Sequence, residues 1–244
     1  VLIKKKNMKG QFIAFMIGLL CVSWACSEEN NHLPIIEPED HGVFTDSEGR
    51  EFPWVRYGNL EWMTTNLNIE LPKEDEWTNT GCEISREEDR NPIDQELEIK
   101  QNYETFGCLY TYEAATSAIP EGWRIPTDED WQSLEKSMGM SNRELNLTGW
   151  RGTNVGTLLQ QEEGTMINLR TGGMGEYDGY GYFTPYFIYV YGFYWTATPE
   201  KEGSNLNYCR QISYKSDKIA RTTVDRSKML YVRCVRDVNN ETNK

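Results

Sequence analysis

Short β-rich runs fill the last third of this 244-residue chain, and they limit the possible folds more than any other feature. Aromatic and β-branched residues are frequent in these runs, and glycine, asparagine and aspartate lie between them. The runs are Tyr186–Tyr191, Phe193–Thr198, Asn207–Tyr214, Lys218–Val224 and Met229–Asp237. Strands of this length, separated by turn residues, predict small antiparallel sheets.

Earlier parts of the chain predict one hairpin and several helices. Asp46–Gly49 is a turn sequence between the strand-forming residues Val43–Phe44 and Phe52–Tyr57. A short helix is predicted over Tyr110–Ala118, and Ser141-x-x-Glu144 is a capping box for another helical turn. A hairpin, then helices, then a run of strands together predict an α+β fold.

The clearest helix signal follows Thr127, which is a good N-cap residue. Three acidic residues occupy the first turn, where the helix dipole favours negative charge, and Gly139 ends the pattern. The residues that repeat at helical spacing and predict a face packed on the core are Trp131, Leu134 and Met138.

The first 25 residues have the composition of an export signal. They contain four lysines, no acidic residue and an apolar run over Phe12–Val22, which is too short to span a bilayer comfortably. Ser23-Trp24-Ala25-Cys26 resembles a lipobox, although Ser23 stands where leucine is usual. We therefore expect residues 1–25 to be a signal peptide and Cys26 to carry lipid. The alternative is a signal without lipidation and a free thiol.

Residues 26–42 are predicted to be an acidic tether, and residues 238–244 a C-terminal tail. Ser27–Glu29 resembles the acidic surface-export signal of lipoproteins in the Bacteroides group, with a plain acidic linker as the alternative. These features predict an outer-membrane lipoprotein that is exposed at the cell surface, and a periplasm-facing position stays open.

Net charge argues against nucleic acid as a partner. The formal charge of −13 becomes −17 when the four lysines of the signal are removed, and such a chain repels phosphate backbones. It also repels anionic lipid, so we expect acyl chains alone to hold it to the membrane. Residues 72–104 carry eleven acidic side chains and are predicted to be a solvent-exposed insertion in a domain over residues 43–237.

Four cysteines follow Cys26, and in an exported chain they predict two disulfides with three possible pairings. Closeness in sequence favours Cys82–Cys108 and Cys209–Cys234. The second pair would close a loop of about 25 residues, which the chain-entropy model values at about 3 kcal/mol. None of the four has the spacing of zinc ligands.

Both histidines, His32 and His41, lie in the tether. The predicted domain therefore has no histidine for a Ser–His–Asp or Cys–His site, or for a histidine-bound metal. A pair of carboxylates could hydrolyse glycosides, but no pair is singled out by the sequence. We accordingly expect a protein without catalytic residues, resident metal or cofactor.

Aromatic residues are the candidate ligand contacts. Tyrosines crowd the stretch from Tyr177 to Tyr194, next to Trp195. Their rings can stack on the apolar faces of sugars while polar groups bond to sugar hydroxyls, although alternate rings could instead fill the core. The candidate binding residues are Tyr189, Tyr191, Trp195, Tyr208 and Arg210.

Five sequence blocks, in order along the chain, resemble the Fibrobacter succinogenes major paralogous domain. They are Gly58–Met63 with Asn66-Leu67, Gly107–Tyr112, Pro120–Asp128, Tyr194–Thr198 and Tyr231–Asp237. The resemblance spans about residues 43–237. This family brings no known activity.

The blocks at Arg124–Thr127 and Arg233–Arg236 are also similar to the formylglycine-generating-enzyme branch of the C-type-lectin-like fold. The resemblance implies paired terminal strands, two main helices, short antiparallel sheets and long loops. The nearby reactive cysteines of those enzymes and the calcium motifs of C-type lectins are missing from the sequence.

The resulting hypothesis is a non-enzymatic binding module for a glycan or a surface partner. The alternatives are a structural component of an outer-membrane complex and a histidine-free glycoside hydrolase.

Overall fold

Residues 33–71 and 92–238 are described by a computed structural model, in which they form ten strands and five helices. All of them belong to one unit of the chain. Among these residues, no helix combines the length and the apolar character that crossing a membrane requires. The arrangement is α+β, as the sequence predicts. Residues 1–32, which include the predicted signal peptide, Cys26 and the first part of the predicted tether, lie outside the described residues.

The first sheet joins strands from the two ends of the domain. Its order is β1-β2-β3-β10, with all neighbours antiparallel, and its strands are β1 Asp40–Thr45, β2 Glu51–Tyr57, β3 Leu60–Met63 and β10 Val235–Asp237. The carboxylate of Asp46 accepts hydrogen bonds from the backbone N–H groups of Glu48 and Arg50, both at 2.9 Å, and so closes the turn between β1 and β2. The predicted hairpin is confirmed.

The second sheet has the order β4-β9-β8-β7, and a separate hairpin pairs β5 with β6. The strands are β4 Gly149–Arg151, β5 Met174–Tyr177, β6 Phe183–Tyr186, β7 Tyr191–Pro199, β8 Leu206–Ser213 and β9 Ile219–Asp225. Three of the predicted strands are confirmed as β7, β8 and β9. The strand predicted over Tyr186–Tyr191 is wrong, because Phe187 and Tyr189 have φ angles of 62° and 63°, which a pleated strand cannot include.

The helices are α1 Pro92–Phe106, α2 Tyr112–Ala118, α3 Asp128–Ser137, α4 Asn142–Leu145 and α5 Val155–Leu159. In α3 the Thr127 hydroxyl accepts from the Asp130 N–H at 3.1 Å, and the Asp130 carboxylate accepts from the Thr127 N–H at 2.7 Å. This reciprocal cap confirms the predicted start of the helix. The predicted stripe of α3 is buried, and the Trp131 ring packs 5.0 Å from that of Trp62 on β3.

The second half of the insertion predicted over residues 72–104 forms helix α1 from Pro92, and most of its described side chains are exposed or half-buried. Residues 72–91 lie outside the described residues. Glu98 and Asn102 are buried on α1, and Asn102 donates to Glu98 at 3.4 Å. The sequence shows no apolar stripe at helical spacing here, because this helix places polar side chains against the domain.

The structure contradicts the predicted Cys209–Cys234 disulfide, since both residues are buried free thiols. Cys209 belongs to β8 of the second sheet, whereas Cys234 directly precedes β10 of the first. Both join one apolar cluster as small hydrophobic side chains, and burial raises the pKa of Cys209 to about 12. Closeness in sequence was therefore a poor guide to pairing. Cys108 is disulfide-bonded, but its predicted partner Cys82 lies outside the described residues, so that pairing stays a prediction.

Candidate ligand-binding surface

Four aromatic rings form a connected and partly exposed strip, which we call the aromatic surface: Trp150, Tyr191, Phe187 and Tyr186. Neighbouring ring centroids lie 6.3 Å apart for Trp150 and Tyr191, 5.5 Å for Tyr191 and Phe187, and 6.2 Å for Phe187 and Tyr186. The exposed fraction is 42% for Trp150 and 52% for Phe187. Large apolar side chains at this exposure, in contact with each other, are typical of an interaction site.

The loop between β6 and β7 fixes the position of this strip. Phe187 and Tyr189 both adopt left-handed backbone conformations, which store about 1–3 kcal/mol of strain each in residues with bulky side chains. Hydrogen bonds hold the loop there, from the Tyr189 N–H to the Thr171 carbonyl at 2.7 Å and from the Tyr191 N–H to the Phe187 carbonyl at 3.0 Å. A Cβ atom at Gly173 would lie 2.3 Å from the Tyr186 carbonyl oxygen, so the loop approaches a residue without a side chain. The rings are thus presented by a fixed backbone.

Hydroxyl groups line the same region. Tyr186 donates to the Glu176 carboxylate at 2.8 Å, and Tyr189 donates to the Asn102 side chain at 3.1 Å. The Tyr189 ring also packs against Phe106 of α1 at 5.7 Å while about half of the residue stays exposed. The region therefore offers polar groups beside its ring faces.

Of the predicted binding residues, the structure brings Tyr191 into the aromatic surface and places Tyr189 at its edge. Trp195 is completely buried and its indole N–H donates to the Tyr110 carbonyl at 2.8 Å, so its predicted role in ligand contact is wrong. Tyr208 is half-buried, and the guanidinium of Arg221 covers its ring at 3.8 Å.

Arg210 is completely buried in an ion-pair cluster with Asp128, Glu135, Arg151 and Arg221, so its predicted ligand contact is also wrong. It binds Asp128 and Glu135, each at 2.6 Å. Arg221 binds Asp128 at 2.8 Å, and Arg151 binds Glu135 at 2.7 Å. The cluster joins α3 to β4, β8 and β9, and both of its carboxylates are occupied by guanidinium groups. Within the described ranges, no three His, Cys, Asp or Glu side chains are grouped as metal ligands.

Acid should weaken the ion-pair cluster through Asp128. Burial alone would raise the pKa of Asp128, but the hydrogen bonds and charges of Arg221 and Arg210 outweigh it and hold that pKa below the ordinary value of 3.8. A carboxylate with a depressed folded-state pKa stabilises the fold above its unfolded-state pKa and loses this contribution as the pH falls. We expect Asp128→Asn to be less stable than the wild type at neutral pH, and the difference to narrow as the pH falls below 3.8. Urea unfolding of both proteins across this pH range would test this, and a pH-independent difference would contradict it.

Sequence reasoning missed Trp150 and Phe187, the two most apolar members of the aromatic surface. Trp150 follows the left-handed Gly149 in a three-residue edge strand, and Phe187 lies within the run that the pattern assigned to a strand. A short edge strand and a tyrosine-rich run that glycines flank are the signals that could have pointed to exposed rings.

Comparison with known proteins identifies a family for this chain. No solved structure matches the chain. Over 97 residues the chain is 29% identical to an inorganic pyrophosphatase of Emericella nidulans, and this match covers 36% of the chain and 31% of that enzyme. The chain thus spans about a third of the length of this relative. The Fibrobacter succinogenes major domain matches residues 55–236, which is well over half of the sequence. The chain therefore belongs to the Fibrobacter succinogenes major domain family.

Proposed function

We propose that this chain is a non-enzymatic, cell-surface lipoprotein that binds glycans through its aromatic surface. The observation that supports the proposal is the connected strip of exposed rings on a backbone held in a strained conformation. A strip fixed in advance loses little side-chain freedom when a ligand binds, which favours affinity. Strain of this kind persists where the surrounding structure holds it and is concentrated at functional sites.

Glycan is favoured over an apolar protein interface by the composition of the strip. Pyranose rings have apolar faces, on which Trp150 and Phe187 can stack, and hydroxyl groups, which can donate to tyrosine hydroxyl oxygens. Three tyrosines lie in or beside the strip, namely Tyr186, Tyr189 and Tyr191. A surface for the assembly of a larger outer-membrane complex would be expected to have a more uniformly apolar centre.

Two further parts of the proposal concern the scaffold and the anchor. We infer a C-type-lectin-like fold, supported by the pairing of β10 with β3 and by the long connections between the small sheets.

We also propose that lipid on Cys26 holds the protein to the outer membrane. Replacing Cys26 by alanine should release the protein from membranes and abolish labelling with lipid precursors. If both the membrane fraction and the label persist, Cys26 is not the anchor.

The aromatic surface can be tested with the mature chain on a glycan array. We expect Trp150→Ala and Phe187→Gly to weaken glycan binding at least about tenfold, which corresponds to 1.4 kcal/mol, because each removes a stacking face. Glycine at position 187 also accepts the left-handed backbone, so the fold should persist. Tyr180→Ala is the control, since Tyr180 is 84% exposed and belongs to no ring pair of the strip.

Two results would oppose glycan binding. Unchanged binding in both variants would place the site elsewhere on the protein. No binding across the array, together with stoichiometric co-purification of membrane proteins, would favour the assembly role. Repeating the array with a chelator would show whether calcium takes part.

A further inference from the structure

A polar pocket of about 330 Å³ lies beside the end of β3 and the C-terminal end of α1, and its lining does not include the four rings of the aromatic surface. We call it the arginine pocket, after Arg233 and Arg170. Asn66, Asn68 and Thr105 also line it and supply amide and hydroxyl groups. Its volume is at the lower limit of ordinary small-molecule sites.

Arg233 is the feature that calls for a ligand. This side chain is 1% exposed, and its Nη atoms donate only to neutral groups. The acceptors are the Met63, Ile167 and Asn168 carbonyls at 3.2, 2.7 and 3.1 Å and the Asn66 side-chain oxygen at 2.8 Å. Among the described residues its Nε–H group has no hydrogen-bond partner, and the nearest aromatic partner of the guanidinium is the Tyr194 ring, 5.9 Å from it.

A buried positive charge without a counter-charge is unfavourable, because the low-dielectric interior replaces its hydration only in part. Burial accordingly lowers the pKa of Arg233 to about 10. The positive charge of Arg170 acts in the same direction on this pKa, so the two guanidinium groups repel each other. An anion bound between them would relieve both effects.

The other charged side chains at the pocket affect the binding of an anion less than Arg233 does. Arg170 pairs with Glu162 at 3.1 Å, but the Glu162 side chain is 76% exposed, and such a pair contributes little. Glu51 and Glu104 also line the pocket, and both are exposed. Water and salt screen exposed carboxylates, whereas the field of the buried Arg233 is screened much less.

Three separate sequence blocks meet at this pocket. Asn66 follows the Gly58–Met63 block, Gly107 begins the second, and Arg233 lies in the last. Gly107 has a φ of 73°, and a Cβ atom there would lie 2.9 Å from the Leu67 carbonyl oxygen and 3.2 Å from the Asn66 Cβ. The close approach of α1 to Asn66, which shapes the pocket, therefore requires glycine at this position.

We propose that the arginine pocket binds the carboxylate group of a small ligand. Arg170 and the amide and hydroxyl groups of the wall contact the carboxylate, and Arg233 behind them supplies the buried positive charge. Guanidinium and carboxylate groups match each other in geometry and charge. The group could come from an acidic sugar or from the C-terminus of a peptide. This site goes beyond glycan stacking on the aromatic surface and does not depend on it.

Calorimetric titration of the full mature chain at low salt tests the proposal with four probes. They are D-glucuronate, D-glucose, N-acetylalanine and N-acetylalaninamide, which form two pairs that differ in the carboxylate. We expect at least one carboxylate probe to bind and its neutral counterpart not to bind. Arg170→Gln should weaken this binding about tenfold or more, and Arg143→Gln, which changes an exposed arginine of α4, should leave it unchanged.

The probe that binds identifies the source of the carboxylate. Binding of glucuronate alone identifies an acidic sugar as the source, and binding of N-acetylalanine alone identifies a peptide terminus. Equal binding of charged and neutral probes, unchanged affinity in Arg170→Gln, or no binding up to ~10 mM, which is ten times a Kd of about 1 mM, would overturn the proposal. Trp150→Ala should leave carboxylate binding unchanged, so failure of the aromatic surface and failure of this pocket are separable.

Discussion

Glu135→Gln is expected to destabilise the protein by about 3–5 kcal/mol, which is the range for removing one partner of a buried ion pair. Glu135 is fully buried and accepts hydrogen bonds from Arg210 at 2.6 Å and Arg151 at 2.7 Å. Glutamine has almost the same shape but no charge, so three arginines would share the single charge of Asp128. A loss of this size is a large part of the 5–15 kcal/mol by which domains are usually stable.

The matched control is Glu129→Gln, which removes an exposed carboxylate from the same helix. This change should alter the free energy of unfolding by no more than about 0.5 kcal/mol. Chemical unfolding followed by tryptophan fluorescence would measure both variants. Similar values for Glu135→Gln and Glu129→Gln would show that the ion-pair cluster contributes little to the fold.

Trp195→Ala is expected to cost about 3–5 kcal/mol, the usual range for truncating a buried aromatic side chain. The Trp195 side chain is fully enclosed, its N–H donates to the Tyr110 carbonyl, and its own carbonyl accepts from Trp131 at 3.3 Å. Alanine would leave a cavity and would remove one of the two hydrogen bonds that the Tyr110 carbonyl accepts, while the bond from the Leu230 N–H at 2.9 Å remains. Loss of ligand binding in this variant would therefore report unfolding.

Trp150→Ala provides the comparison, because Trp150 is a tryptophan of the aromatic surface. Its removal should change stability by about 0.5 kcal/mol or less while it weakens glycan binding. Thermal unfolding by circular dichroism would separate the two variants. A stable Trp195→Ala protein would contradict the assignment of this residue to the core.

Local signals predicted the elements that local chemistry determines. The Thr127 cap, the Asp46 turn and the Ser141 capping box each involve residues within four positions of one another, and all three are confirmed. Helix α1 could not be predicted in this way, because Glu98 and Asn102 are buried by packing that the sequence pattern does not show. Pairing of cysteines likewise depends on which sheet each one joins.

The candidate sites were harder to predict than the fold. Tyr191 was found because aromatic residues crowd its stretch, but ring exposure depends on the left-handed turn at Phe187 and on the burial of β7 beyond Tyr191. Arg233 was recognised as part of a family block, yet nothing in its neighbours indicates a buried charge without a partner. The burial of the Arg233 charge requires Asn66, Ile167 and Asn168 to meet around its guanidinium. All three residues are far from Arg233 in the sequence.

The pairing of β3 with β10 ties completion of the first sheet to both ends of the domain. Glu61 and Arg236 form a cross-strand ion pair although 175 residues separate them. Contacts so distant in sequence carry a high loop-closure cost and form late in folding. Until they form, one edge of β3 is open and Trp62 lacks part of its cover. On the proposed export route, an exported chain that has not yet closed this sheet would be open to misassociation at that edge.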